Sequence, residues 1–146
     1  MKHYFAYGAN TDLDTMFDRC PHAKFIEVGE LKEYRFIINT RGVASIVPDE
    51  DSSVFGIIWT ITEEDEVFLD HFEGVKGGWY TKHTVAVGEI ADNTKVYDCL
   101  VYVASDSKEG KPIEDYFTNI IKWAKNYHFS KEYIKYLESL KGGKVS

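Results

Sequence analysis

Two stretches of this chain place chemically able residues at useful spacings. The first runs from His3 to Cys20, HYFAYGANTDLDTMFDRC. An aromatic, strand-like run breaks at Tyr7-Gly8-Ala9-Asn10 and passes directly into a helical pattern. A strand, a tight glycine turn and a helix start gather backbone N–H groups that lack chain acceptors, and such a point suits a carboxylate or a developing oxyanion. The second is FLDHFEGVKGGWY, residues 68–80. Here Glu73 ends a helix beside Phe72 and precedes a glycine-rich bend. The negative end of the helix dipole and the loss of water both raise the pKa of a carboxyl so placed, which fits it for proton transfer near neutral pH.

Each stretch, taken alone, also has a plain structural reading. Gly8 permits a bend and Asn10 precedes a helix; Glu73 is a solvated carboxylate closing an acidic helix. Other candidates are weaker. His71 reads as packing or surface, no His/Cys set has zinc spacing, and Ser45 in GVASIV lacks a nucleophile elbow. Tyr127, Tyr133 and Tyr136 recur near helical spacing and read as packing.

Residues 3–7 read as a short buried strand. A helix follows, with Thr11 and Asp14 as its capping pair and Leu13, Met16 and Phe17 on one face, ending at Cys20-Pro21. From Lys24, KFIEVGELKEYRFIINT predicts two strands joined near Lys32-Glu33. GVASIV predicts another before Pro48 and an acidic loop, and SVFGIIWTIT a strand buried on both faces. Thr62 and Asp65 form a capping pair for a helix with Val67, Phe68, His71 and Phe72 along one side and Gly74 as its stop. WYTKHTVAV and KVYDCLVYVAS predict two more strands. Pro112 opens a helix bearing Ile113, Tyr116, Phe117, Ile120, Ile121 and Ala124, and a last helix runs from near Ser130 to Gly142. Six or seven strands, several adjacent in sequence, with three or four helices predict an α+β fold: a small mixed, mostly antiparallel β-barrel with flanking helices.

The chain has 146 residues, which suits one domain over residues 1–141 with a flexible tail at 142–146. Its 24 acidic against 17 basic residues give a net charge of -7, which disfavours nucleic acid as a partner. No apolar run approaches membrane-spanning length and no signal-peptide pattern opens the chain, so a cytoplasmic protein without membrane contact is expected. Cys20 and Cys99 lie far apart in sequence; a disulfide is left open, and reduced thiols are the simpler reading.

In order and spacing, YFAYGAN, GVASIV, VFGIIW, FLDHFEGVKGGWY and CLVYVAS resemble the landmarks of the γ-glutamylcyclotransferases, from Tyr4 to the helix around Tyr136. The resemblance implies a mixed β-barrel with flanking helices, release of 5-oxoproline from a γ-glutamyl amino acid or amine, and no metal or organic cofactor. It implies Glu73 as the catalytic acid/base. Tyr7, Gly8, Ala9 and Asn10 form the substrate-holding turn, Tyr80 follows the glycine bend, and Tyr116 closes over the substrate. Ala9 stands where the family usually has serine, keeping the backbone N–H and losing a hydroxyl. A γ-glutamyl small molecule is the expected partner, and the protein a monomer or homodimer. The competing class is a non-catalytic module that binds γ-glutamyl or carboxylate compounds on the same fold.

Overall fold

The computed structural model describes residues 1–142; residues 143–146 of the expected tail lie outside the described residues. Five strands form a closed barrel in the order β1-β3-β2-β4-β5. They are β1 (Lys2–Ala6), β2 (Lys24–Ile38), β3 (Ala44–Ile61), β4 (Tyr80–Glu89) and β5 (Val96–Ala104). Neighbours pair antiparallel, apart from the seam where β1 meets β5 in parallel at His3↔Cys99 and Tyr4↔Leu100. The core includes Phe5, Ile57, Ile58, Val87 and Val101, all fully buried. Four helices flank it: α1 (Leu13–Arg19), α2 (Glu63–Phe72), α3 (Glu114–Asn126) and α4 (Lys131–Ser139). The expected α+β barrel is therefore the fold, and among the described residues no helix is long and apolar enough to cross a membrane.

Two expected breaks are absent from the strands. Lys32-Glu33 does not separate two strands: β2 continues through it, with Glu33 in the left-handed region at φ 68°. Likewise β3 continues past Pro48. Pairing stops at Lys32↔Ser53 and resumes at Tyr34↔Pro48, so residues 49–52 bulge opposite the single Glu33. The acidic stretch interrupts the ladder rather than the strand, because Asp49 satisfies its own turn by accepting from Asp51 N and Ser52 Oγ and pairs with Arg35. Merging these segments leaves five strands where six or seven were expected.

The start of α1 is also shifted. Thr11 is not its cap: a short 3₁₀ turn, Ala9–Thr11, intervenes, and Asp12 caps the helix by accepting from the N–H groups of Asp14 and Thr15. The other Asp12 oxygen accepts from Asn119 Nδ2 on α3 at 2.8 Å, and Tyr127 donates to the Thr11 carbonyl at 2.6 Å. The C-terminal helical layer thus clamps the turn that follows β1.

Helix α2 begins with the expected capping box, Thr62 and Asp65 exchanging backbone and side-chain bonds. Its packing face differs from expectation. Val67, Phe68 and Phe72 are exposed, while Leu69 is fully buried. Polar ties dock the helix instead: Tyr102 on β5 donates to Asp70 at 2.7 Å, Lys82 on β4 bridges Asp70 and Glu66, and Lys2 on β1 meets Glu66 at 2.8 Å. Three strands therefore fix the helix that carries Glu73. Cys20 and Cys99 are buried free thiols, each held above the usual thiol range by burial, at about 11 and about 12.

Candidate active site

A cavity of about 270 Å³ opens beside the β1–α1 turn. Its lining brings together the seven residues that the family resemblance points to: Tyr7, Gly8, Ala9, Asn10, Glu73, Tyr80 and Tyr116. Residues 70 or more positions apart meet because β1, β3 and β5 are barrel neighbours and α2 crosses their end.

Glu73 occupies the C-cap of α2, its N–H bonded to the Leu69 carbonyl at 2.9 Å. The chain then turns through Gly74 at φ 64°. Gly74 N bonds the His71 carbonyl and Val75 N the Asp70 carbonyl, a Schellman closure that glycine's lack of Cβ permits. The Glu73 carboxyl faces the cavity with no hydrogen bond or ion pair to it among the described residues. Burial pushes its pKa up to about 7, against the opposing charge of Arg19. The carboxyl is thus poised between charged and neutral forms at neutral pH.

The facing wall is the turn itself. Ala9 and Asn10 open a helical turn, where N–H groups have no intrahelical acceptors. Gly8 has φ -118°, so handedness is not what its missing side chain provides. A Cβ there would stand 3.3 Å from the Ala44 Cβ and 3.5 Å from the Tyr116 hydroxyl, closing the space between turn and cavity. Asn10 is engaged rather than free: its Nδ2 donates to the Tyr4 hydroxyl at 3.0 Å, and its Oδ1 accepts from Arg19 at 2.9 Å. It stiffens the turn and ties a cation to it. Tyr7 donates to the Tyr102 carbonyl, and Thr11 Oγ1 to the Gly8 carbonyl at 2.7 Å.

Ala44, the first residue of β3, gathers two phenols. Tyr80 donates to its carbonyl at 2.8 Å, and its N–H donates to the Tyr116 hydroxyl at 3.0 Å. Burial holds Tyr7 and Tyr80 far above the ordinary phenol range and pushes Tyr116 up to about 12, so all three stay neutral. Tyr116 retains its own O–H for a ligand. Ser45, beside them, is fully buried and accepts from Ala104 N at 2.9 Å, a strand-pairing role. His71 is exposed and lines no part of the cavity.

Among the other lining groups, sequence reasoning missed Tyr4, Arg19, Arg41, Trp79 and Tyr102. Arg19 lies over the Phe72 ring at 4.6 Å and Arg41 over the Trp79 ring at 4.0 Å. Trp79 sits inside the quoted GGWY motif, and its place before Tyr80 was the available signal. Arg41 lies on the β2–β3 turn, immediately before the GVASIV stretch, and nothing in its neighbouring letters signals a place in the cavity. Among the described residues, no group of three or more His, Cys, Asp or Glu side chains is arranged to hold a metal ion.

The model of the AIG2-like family matches residues 53–137 of the chain, from β3 to α4. The chain belongs to that family. Named γ-glutamylcyclotransferases match it along nearly its whole length. That of Bos taurus is 29% identical over 157 aligned positions, spanning 98% of this chain and 82% of the relative. That of Homo sapiens is 27% identical with the same coverage. A solved structure named γ-glutamyl cyclotransferase superposes with a TM-score of 0.86 at 27% identity, covering 99% of this chain and 93% of that one. A yeast γ-glutamyl cyclotransferase described as specific to glutathione shares the fold, with a TM-score of 0.66 at 12% identity over 97% and 94% of the two chains. The γ-glutamylcyclotransferase resemblance of the motifs is thus matched by whole-chain similarity and by architecture.

Proposed function

We propose that the protein is a γ-glutamylcyclotransferase-type enzyme releasing 5-oxoproline from a γ-glutamyl amino acid or amine, with Glu73 as the proton carrier. The observation that carries this reading is a cavity-facing carboxyl pushed to about 7, set against a turn rich in N–H donors. Glu73 takes a proton from the substrate's α-ammonium. The freed amine attacks its own γ-carbonyl, and a tetrahedral centre forms whose oxyanion is held by N–H groups of residues 8–10 or the Tyr116 O–H. Glu73 returns the proton to the distal nitrogen, the C–N bond breaks as the oxyanion collapses, and the carboxylate then takes the second proton from the new ring nitrogen and passes it to the departing amine, so that 5-oxoproline and an ammonium leave. One carboxyl serves all of these transfers, and its recharging completes the cycle.

General acid–base catalysis of this kind contributes about 10²–10⁴-fold. Holding the glutamyl chain in a ring-like pose contributes as much or more, since oriented intramolecular attack is worth roughly 7–11 kcal/mol. The second reading, a binding module, draws on Ala9, which lacks the hydroxyl that the family usually carries. The two readings separate with the Glu73→Gln variant. Gln preserves shape and cannot accept a proton, so kcat for 5-oxoproline release should fall at least ~10²-fold with ligand affinity changed far less. Wild-type turnover by that variant removes Glu73 from the chemistry, and absence of 5-oxoproline from a panel of γ-glutamyl compounds favours the module.

A further inference from the structure

Two guanidinium groups line the cavity, and Glu73 is its single carboxyl among the described residues. In a chain of net charge -7 this is a local excess of positive charge. The two cations are not equivalent. Arg19 donates to Asn10 Oδ1 and is bound into the turn. The Arg41 guanidinium makes no ion pair or side-chain hydrogen bond among the described residues; its Cζ lies over the Trp79 ring, 4.0 Å from the ring centre.

A cation held over a ring in this way keeps its N–H donors for a further partner, and a guanidinium presents them in the fork geometry that matches a carboxylate. Both partners are preorganised. The turn bearing Arg41 is stitched by Asn39, whose Oδ1 accepts from the N–H groups of Arg41 and Val43, and by Thr40, which bonds Asp106 through its N–H and hydroxyl. Trp79 is fixed by its N–H to the Gly74 carbonyl at 3.1 Å and its carbonyl to Ser105 N at 3.0 Å. Trp79 is half exposed, which places the pair at the cavity mouth, on the side open to solvent.

A γ-glutamyl head group carries one carboxylate, which the turn can hold. A second carboxylate is present when the departing amine is itself an amino acid or a peptide, and is missing from a simple amine. We propose that Arg41, seated on Trp79, selects the leaving group by binding its carboxylate, so that γ-glutamyl amino acids are preferred to γ-glutamyl amines without one. This inference rests on the cyclotransferase reading above and narrows its substrate class.

γ-Glutamylalanine and γ-glutamylethylamide differ only in the leaving-group carboxylate and make a matched pair. The wild-type protein should favour the former in kcat/KM by about 10- to 100-fold, the usual worth of a charge-assisted hydrogen bond, with the difference carried in KM. Arg41→Ala should bring the ratio near one, Trp79→Ala should lower it, and Arg41→Lys should restore part of it. A wild-type ratio near one, or a ratio that survives Arg41→Ala, overturns the assignment. Calorimetry of both compounds on Glu73→Gln protein, with and without Arg41→Ala, separates this from the parent reading. If no 5-oxoproline is released, that reading fails; Arg41-dependent binding of γ-glutamylalanine still sustains the carboxylate site, and equal binding of the two compounds overturns it.

Discussion

A carboxyl whose pKa stands at about 7 changes charge within the range where assays are run, and for Glu73 the direction of the effect is fixed by its role. It must be ionised to accept the ammonium proton. The acid limb of kcat/KM should therefore rise through an inflection near pH 7, well above the ordinary glutamate value of about 4.3. Burial is the leading cause, so a substitution that admits water beside Glu73 should move the inflection down; Phe72→Ser, at the cavity edge, is one. A limb centred near pH 4–5 in the parent protein contradicts a buried base. The local surroundings of Glu73 were partly legible in the sequence, because a helix stop at Gly74 and an adjacent Phe can be read from neighbouring letters. Arg41 was not, since what brings it against Trp79 is barrel closure between segments tens of residues apart, and Arg19 was not, since its return from the end of α1 onto Asn10 is a tertiary bond that its neighbours in sequence do not signal.

At the scale of elements, local signals held where one motif decided the outcome and failed where two segments had to agree. Thr62 with Asp65, Gly74 and the apolar stripe of α3 were each sufficient alone. The breaks at Lys32-Glu33 and Pro48 were misjudged because each looks like a turn by itself, and only their pairing across the ladder absorbs both in one bulge. The outward apolar face of α2 was misjudged for a related reason: its docking is set by Asp70 and Glu66 meeting residues of β1, β4 and β5. The α2 terminus offers a direct test. At Gly74, φ is 64°, and an added Cβ would lie 2.7 Å from Trp79 Cδ1. Gly74→Ala should cost about 1–2 kcal/mol from left-handed strain, read by denaturant unfolding, and should displace Trp79, read by its fluorescence. An unchanged midpoint and spectrum would show that the closure tolerates a side chain.

For the whole molecule, the barrel closes on an apolar interior and a β1–β5 seam, and no described cluster of side chains offers three metal donors. Exhaustive chelation should leave both the melting temperature and 5-oxoproline release unchanged. A loss restored by zinc or manganese would place a metal in the mechanism.

Stability against pH joins the site to the fold. Two sets of carboxyls act in opposite directions. Asp12 and Glu66 have lowered pKa values, through bonds from Asn119, Thr15 and Asp14 in one case and from Lys2 and Lys82 in the other. Their contribution is present above the unfolded values and is lost as pH falls through the lower folded ones. Glu73 is the reverse. Its folded pKa of about 7 exceeds the reference value of 4.5, so between those limits the folded state binds more protons than the unfolded chain, and stability declines as pH rises. From about one unit above pH 7 the cost of ionising the buried carboxyl is complete, on the order of 3 kcal/mol for a difference of about 2.5 pKa units. Glu73→Gln removes this titration and leaves the other carboxyls in place. Relative to the parent, the variant should therefore gain stability progressively from pH 5 to pH 8 and hold that gain at higher pH, as measured by urea unfolding at each pH. A difference between the two proteins that does not change with pH would show that Glu73 is solvated, and would withdraw the buried proton carrier on which the proposed reaction depends.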